Sequence, residues 1–184
     1  MHTYLHPDPL AYTGPQLSSH FIYRTFGLRG DTIAAFAGPC QVATPEMVDL
    51  EDVHAGLHIY SEHMLHFLVE HFEAPLRMMV LRQRLLTTQM QQILQQHGVT
   101  HLRRSGDDLY DQEAKLSVSI ATVSPVSGLI HFGINISSHN TPIPTRGLSD
   151  YGIDWHIFAA QVLETYAQEE HAIGQAVAKV RWVS

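Results

Sequence analysis

The sequence predicts a single α+β domain in which a mixed, largely antiparallel sheet is flanked by helices. Helical periodicity covers Leu76–Gln96 and residues 155–171, and residues 115–121 and 129–136 between them have the composition of two strands joined by a turn. The order helix, hairpin, helix is typical of α+β folds. The chain has 184 residues, which suits one domain with its own core, so we expect residues 1–184 to form one unit.

Both predicted helices have recognisable ends. Pro75 suits the start of the first helix and Gly98 its C-terminal stop. Asp154 has the short acidic side chain of an N-cap for the second helix. Apolar residues follow one face of each helix, which predicts that both pack against the sheet.

The first part of the chain carries weaker signals. Residues 1–16 contain three prolines and are expected to be an irregular lead-in. Residues 21–23 and 32–37 are predicted to be short strands, the second of them ended by Gly38 and Pro39. Residues 47–52 are predicted to form an acidic loop or turn, and over residues 58–72 helix and strand patterns are hard to separate.

Composition excludes several classes of protein. The net charge is −7 and Lys and Arg total only 11, so a nucleic-acid partner is not expected. No apolar run is long enough to cross a membrane, the N-terminal residues lack the pattern of a signal peptide, and one cysteine suits a reducing compartment. We therefore expect a cytoplasmic protein.

An edge strand and exposed apolar positions in the first half further predict a homo-oligomer, most simply a two-fold dimer detectable by light scattering.

The clearest chemical signal lies in residues 103–116 and in the strand that returns after them. Asp107 and Asp108 form an acidic pair, and Lys115 follows at the mouth of an apolar strand, where an ammonium can neutralise a carboxylate or a phosphate. Gly133 lies in the middle of the returning strand, and such a glycine often marks close approach of a ligand. From the residues alone, the favoured explanation of Lys115 is an ordinary strand-edge lysine with its ammonium in water.

These motifs resemble those of the biotin and lipoate protein ligases. The matching residues are Asp108-Leu109-Tyr110, Lys115-Leu116 at the same spacing, Gly133-Ile134-Asn135, and residues 152–154 before the last helix. The resemblance covers residues 76–173 and implies a fold like that of the class II aminoacyl-tRNA synthetases. Residues 36–40, 47–52 and 64–67 are in addition similar to the family called domain of unknown function 366, which has no established activity.

The ligase resemblance implies a site for a small carboxylic acid. Lys115 would be the catalytic residue, contacting the carboxyl end of the acid and the adenylate. The ligand-binding residues it implies are Gly133, Asn135 and His131 in the pocket, with Arg104 and Asp108 at its rim, and ATP with Mg²⁺ as cofactors. Arg104 has a second explanation, in which it pairs only with a neighbouring aspartate.

The sequence also departs from the ligase pattern. The ligases fold a glycine- and arginine-rich loop over the adenylate phosphates, whereas residues 36–56 here contain no Lys or Arg and four acidic residues. Such a segment repels a nucleotide triphosphate unless Mg²⁺ bridges the two. Three functions therefore stay open: an ATP-dependent ligase or acyltransferase, a non-catalytic binding protein that has lost the adenylation loop, and a metal-dependent hydrolase.

The hydrolase alternative depends on acids and histidines in the first half. If residues 58–72 are helical, Glu62 and His66 are four residues apart and share a face, and Asp52 could complete a site. These three are weak metal-ligand candidates within a wider set comprising also Asp49, His54, His63 and Glu70. Surface residues and hydrogen-bonded core histidines are the competing explanation. For Cys40 we expect a small buried residue in preference to a catalytic thiol, since its neighbours are acidic.

Overall fold

The structure is a computed structural model that describes residues 1–72 and 75–183. In chain order, its elements are β1 (His2–Leu5), α1 (Phe21–Phe26), β2 (Thr32–Val42), α2 (Leu50–His54), β3 (Ile59–Phe72), α3 (Leu76–Gln96), β4 (Arg103–Ser105), β5 (Asp108–Asp111), β6 (Ala114–Lys115), β7 (Ser117–Val123), β8 (Ser127–Asn135) and α4 (Trp155–Lys179).

A five-stranded sheet with the order β1-β2-β3-β8-β7 forms the centre of the molecule. Its first pair, β1 and β2, is parallel, and the other three pairs are antiparallel. Strands β4, β5 and β6 make a second, small antiparallel sheet. The mixed, largely antiparallel α+β fold predicted from the sequence is thus confirmed.

The two long helices, α3 and α4, cover one face of the five-stranded sheet. Their buried side chains, among them Leu86, Met90 and Phe158, share a hydrophobic cluster with the β3 and β8 residues of that face, such as Phe67 and Phe132. Within the described residues, no helix is long and apolar enough to cross a membrane.

The other face of the sheet is covered by irregular chain instead of long helices. Residues 10–28 and the segment between β2 and β3 pack there around a second, smaller cluster that includes Tyr12, Phe36 and Met64. Strand β3 is consequently buried on both faces. A strand buried on both faces has a continuous apolar pattern without alternation, which explains why helix and strand were hard to separate in residues 58–72.

The prediction was accurate where local signals are strong. Helix α3 has the bounds predicted for it, and Asp154 caps α4, its side chain accepting hydrogen bonds from the amides of His156 and Ile157. Strands β7 and β8 form the predicted antiparallel hairpin. One detail differs: Lys115 does not belong to the hairpin strand but to β6, where it pairs with Tyr110. Helix α4 also continues past residue 171 to Lys179.

Three predictions for the first part of the chain were wrong. The lead-in is not irregular throughout, because His2–Leu5 forms β1 beside β2. Residues 21–23 begin a short helix, ended by Gly27 in the left-handed conformation. Part of the acidic segment is also helical, since α2 starts after Asp49, whose carboxylate accepts from the amides of Glu51 and Asp52.

Strand β2 also continues through Gly38 and Pro39, where the sequence predicted its end. The register with β3 shifts between Gly38 and Cys40, so a bulge accommodates the two residues. The missing side chain of Gly38 is essential here, because a Cβ at this position would overlap the backbone of Leu10. Residue 10 belongs to the chain that covers the second face of the sheet.

We therefore expect Gly38→Ala to lower the free energy of unfolding by about 3 kcal/mol, the upper range for overpacking a close contact. The opposing atoms are backbone and cannot rotate away. Urea denaturation measures the change. Gly174→Ala is the matched control, because nothing lies within 4 Å of its added Cβ and it is exposed in α4. That variant should gain about 0.5 to 1 kcal/mol from helix propensity. Equal stability of Gly38→Ala and the wild type would contradict the close approach.

Candidate functional site

A cavity of about 310 Å³ lies between the sheet and the irregular chain on its second face, and reaches the edge strand β7. Its apolar lining comes from several elements and includes Leu17, Val42, Met64, Val118, Ile120 and Ile143. Residues 46–60 contribute most of its exposed lining residues and thus form its open side. Polar and charged side chains complete the lining, and a cavity of this size that combines apolar walls with polar groups is typical of a small-molecule site.

Lys115 lines this cavity as the only Lys or Arg among its described lining residues. Its Nζ lies 2.7 Å from Oδ2 of Asp108, and both side chains are about a quarter exposed or less. Burial alone lowers the pKa of Lys115, but the charge of Asp108 and the hydrogen bond to it outweigh burial, so its pKa lies above the ordinary value. Lys115 is therefore a fixed cation at neutral pH.

The pKa of the Asp108 carboxyl group depends on burial and on other acids as well as on Lys115. Burial raises the pKa of its carboxyl group, the ammonium lowers it, and the charges of Asp107 and Asp52 raise it again, with a net rise. The pair is thus one cation beside several carboxylates. An ammonium has three N–H donors and Asp108 accepts only one of them, which leaves donors for a ligand.

Asp107 is held away from Lys115 by residues that the sequence did not single out. Its carboxylate accepts a hydrogen bond of 2.6 Å from Gln83 Nε2 and one of 3.1 Å from Ser119 Oγ, and it lies 3.3 Å from Arg84 Nη1. Arg84 of α3, and not Arg104, is therefore the basic partner of Asp107.

A histidine pair lies at the other end of the sheet face that lines the cavity. His66 Nδ1 is 3.1 Å from His131 Nε2, and His66 Nε2 is 3.4 Å from the carbonyl oxygen of Gly38. Tyr12 stacks on His131 with ring centroids 3.7 Å apart and an angle of 7° between the planes. Burial lowers the pKa of His66 to about 3 and that of His131 well below its ordinary value, so both rings are neutral.

The remaining predicted ligand-binding residues are only partly brought together. Asn135 lines the cavity beside Lys115, since its Nδ2 donates to the Lys115 carbonyl oxygen at 3.4 Å. Gly133 does not belong to the lining, because Met64, Val118 and His131 occupy the space over it. Arg104 is exposed outside the cavity and donates to the carbonyl oxygen of Gly106. The structure thus groups Lys115, Asp108, His131 and Asn135 and leaves out the other two.

The cavity lining is rich in acids. Carboxylates of Glu46, Asp49 and Asp52 line its open side, in addition to Asp107 and Asp108 at the Lys115 end. One lysine thus faces five carboxylates. A polyphosphate would be repelled there unless divalent cations accompanied it.

The three weak metal-ligand candidates do not meet. Asp52 lines the open side of the cavity, Glu62 accepts a hydrogen bond from Asn140 on the surface, and His66 is buried against His131. Among the residues that the structure describes, no group of three His, Cys, Asp or Glu side chains could hold a metal. The hydrolase alternative therefore lacks a metal site in this part of the chain.

Cys40 is buried, and burial raises the pKa of its thiol to about 12, so it is protonated at neutral pH.

Solved structures define the class of this fold. A biotin protein ligase from Aquifex aeolicus in complex with biotin and ATP superimposes with a TM-score of 0.60, covering 91% of this chain and 68% of that one at 15% identity. A candidate lipoate protein ligase from T. acidophilum with bound lipoic acid gives a TM-score of 0.64, covering 93% and 86% at 14% identity. The fold is that of the biotin and lipoate protein ligases, as the sequence motifs implied.

The chain belongs to the family described as domain of unknown function (DUF366), whose model matches residues 1–181. A protein of unknown function from Pyrococcus horikoshi has the same structure, with a TM-score of 0.94, 34% identity, and coverage of 100% of this chain and 99% of that one. An uncharacterized protein of Methanocaldococcus jannaschii is 37% identical over 169 residues, 88% of this chain and 76% of that protein.

Proposed function

We propose that this protein binds a small carboxylic acid with an apolar tail in the cavity, the carboxylate resting on the ammonium of Lys115. The observation that carries the proposal is the position of Lys115, a half-buried cation in a cavity that also has apolar walls. A half-buried ammonium attracts an anion more strongly than an ammonium in open water does, because its surroundings screen the charge less.

The fold supports the same ligand class. Related folds hold biotin or lipoic acid, each a carboxylic acid with a largely apolar body. The cavity volume also fits, since about 300 Å³ is the lower end of the usual range for small-molecule sites. A ligand about the size of an eight-carbon acid is therefore the natural probe.

Because five carboxylates line the cavity, the main alternative to a carboxylic acid is a cationic ligand. We expect octanoate to raise the melting temperature of the protein, and to do so more than 1-octanol or octylamine at the same concentration, because only octanoate completes the contact with Lys115. Thermal unfolding followed by tryptophan fluorescence measures the shift, and isothermal titration gives the dissociation constants. A larger shift with octylamine than with octanoate would refute the proposal and assign the cavity to cations.

A ligase or acyltransferase is the second candidate. The observation that favours it is that proteins of this fold bind ATP, the Aquifex aeolicus ligase and lipoate-protein ligase A among them. Against it stand the acids of the open side and the lack of Lys or Arg in residues 36–56. Pyrophosphate released from ATP and Mg²⁺ only when octanoate is present would establish this second function.

A further inference from the structure

The hydrogen bonds of the histidine pair determine where its protons lie. The Gly38 oxygen can only accept, so His66 Nε2 carries a proton. A second proton on either ring would place a charge in an almost fully buried site next to another ring 3.1 Å away, at a high cost in free energy. His66 Nδ1 therefore has a lone pair and accepts from His131 Nε2, and His131 Nδ1 is left with a lone pair of its own.

This last nitrogen has no hydrogen-bond partner among the described residues. No hydrogen bond to His131 Nδ1 exists within residues 1–72 and 75–183, and Tyr12 covers a face of the ring without bonding to it. In the described chain, Gln89 Oε1 is the one fully enclosed side-chain oxygen or nitrogen that lacks a hydrogen-bond partner. His131 Nδ1 also lacks a partner, so it is not fully enclosed. Because His131 is 4% exposed and lines the cavity, its Nδ1 opens into the cavity.

The geometry of β8 gives an estimate of the distance between this acceptor and residue 115. His131 and Asn135 are four residues apart on β8, which is about 13 Å along a strand and leaves both on the same face. Asn135 Nδ2 donates to the backbone carbonyl oxygen of Lys115, so residue 115 lies at the Asn135 end of that face, and both Lys115 and His131 line the cavity. Met64 and Val118 line the cavity between them. The lining therefore runs from a cation through an apolar stretch to a lone-pair acceptor.

We propose that His131 determines specificity by accepting a hydrogen bond from the far end of the ligand. The cavity then takes a carboxylic acid whose apolar chain ends in an O–H or N–H donor. A ligand ending in an ether or a second carboxylate is disfavoured, since it would place its lone pairs against that of Nδ1. For the carboxylate end of the ligand this inference rests on the proposed function. It adds a requirement on the chemistry of the opposite end of the ligand.

A series of three ligands tests the inference by titration calorimetry: octanoate, 8-hydroxyoctanoate and 8-methoxyoctanoate. We expect the hydroxy acid to bind about fivefold more tightly than octanoate, the range of one neutral hydrogen bond. The methoxy acid should bind no better than octanoate, although it is the larger molecule. Equal affinities for the hydroxy and methoxy acids would overturn the role of His131.

His131→Phe is the test variant, because it keeps the ring that stacks on Tyr12 and removes the acceptor. We expect it to lose the preference for the hydroxy acid, so that octanoate and 8-hydroxyoctanoate bind to the variant with equal affinity. If the variant does not fold, because His66 has lost its partner, the double variant H66L/H131F removes both members of the bond and restores a matched environment. A preference that persists in the folded variant would refute the inference.

Nitrogen NMR of histidine-labelled protein separates the two proposals. We expect the His131 Nδ1 resonance to be that of an unprotonated nitrogen, and to move to lower frequency on adding 8-hydroxyoctanoate but not 8-methoxyoctanoate. A protonated Nδ1 in the free protein would overturn the inference. Failure of octanoate to bind refutes the proposed function instead, and the shift of the same resonance with 1-octanol then decides the role of His131.

Discussion

Lys115→Ala should weaken octanoate binding by about 10- to 100-fold, the value of a hydrogen bond between charged partners. No other Lys or Arg among the described lining residues can take its place. The loss should exceed that of a simple contact, because Asp108 then meets the ligand carboxylate without a cation between them. Isothermal titration at neutral pH measures the change.

Arg104→Ala is the matched control for this variant. It also removes a basic residue of the same segment, but its guanidinium donates to Gly106 on the surface outside the cavity. Octanoate affinity should be unchanged in it. Since a partly exposed ion pair contributes at most about 1 kcal/mol, Lys115→Ala should remain folded. Equal losses in the two variants would show that overall charge, and not the cavity, attracts the acid.

The second large effect is on stability, which should fall by about 4 kcal/mol between pH 7 and pH 5 owing to His66 and His131. In the unfolded chain each histidine binds a proton below about pH 6.5, whereas the native pair stays neutral, with the pKa of His66 at about 3. The unfolded state thus binds more protons, and falling pH favours it by up to about 1.4 kcal/mol per pH unit for each ring. Stability from this source is complete above pH 6.5 and is lost as the pH falls.

Urea denaturation at pH 7, 6 and 5 measures this slope. His71, whose pKa burial also lowers, adds to it in the same direction. The matched variant is again H66L/H131F, which should lose the contribution of the pair and keep that of His71. Asp111 and Asp154 have lowered pKa values, so the stability they contribute is lost at more acidic pH. A wild-type stability that does not change down to pH 5 would show that the pair is protonated in the native state.

Elements with local signals could be predicted from the sequence, and elements that depend on distant partners could not. Helix α3 was predicted to the residue because Pro75, Gly98 and an apolar stripe all lie in one stretch. Residues 21–23 have aromatic and β-branched side chains that favour a strand, yet the chain around them covers the sheet and forms α1. The dimer predicted from the sequence stays a prediction.

The same distinction holds for the candidate site. Lys115 and Asp108 are close in sequence, and their motif made both recognisable before the cavity was known. Tyr12 and His66 come from distant segments, and only the pairing of β3 with β8 and the course of residues 10–28 place them against His131. Nothing in the spacing of the fourteen histidines indicates which two form a pair.

The cover of the second sheet face has a consequence for how a ligand gains entry. Residues 10–28 are joined to the sheet by the bridge between Tyr12 and Cys40, by a few neighbouring amides and by the amide of His20, which donates to Glu70 of β3. By contrast, β3 and β8 are paired over nine consecutive residue pairs. Amide hydrogen exchange should therefore be fast in the cover and slow in β3, with the cover detaching as a unit while the helical layer stays folded. A ligand can enter through the open side of the cavity at residues 46–60, and such partial opening would in addition expose Met64 and His131 without global unfolding.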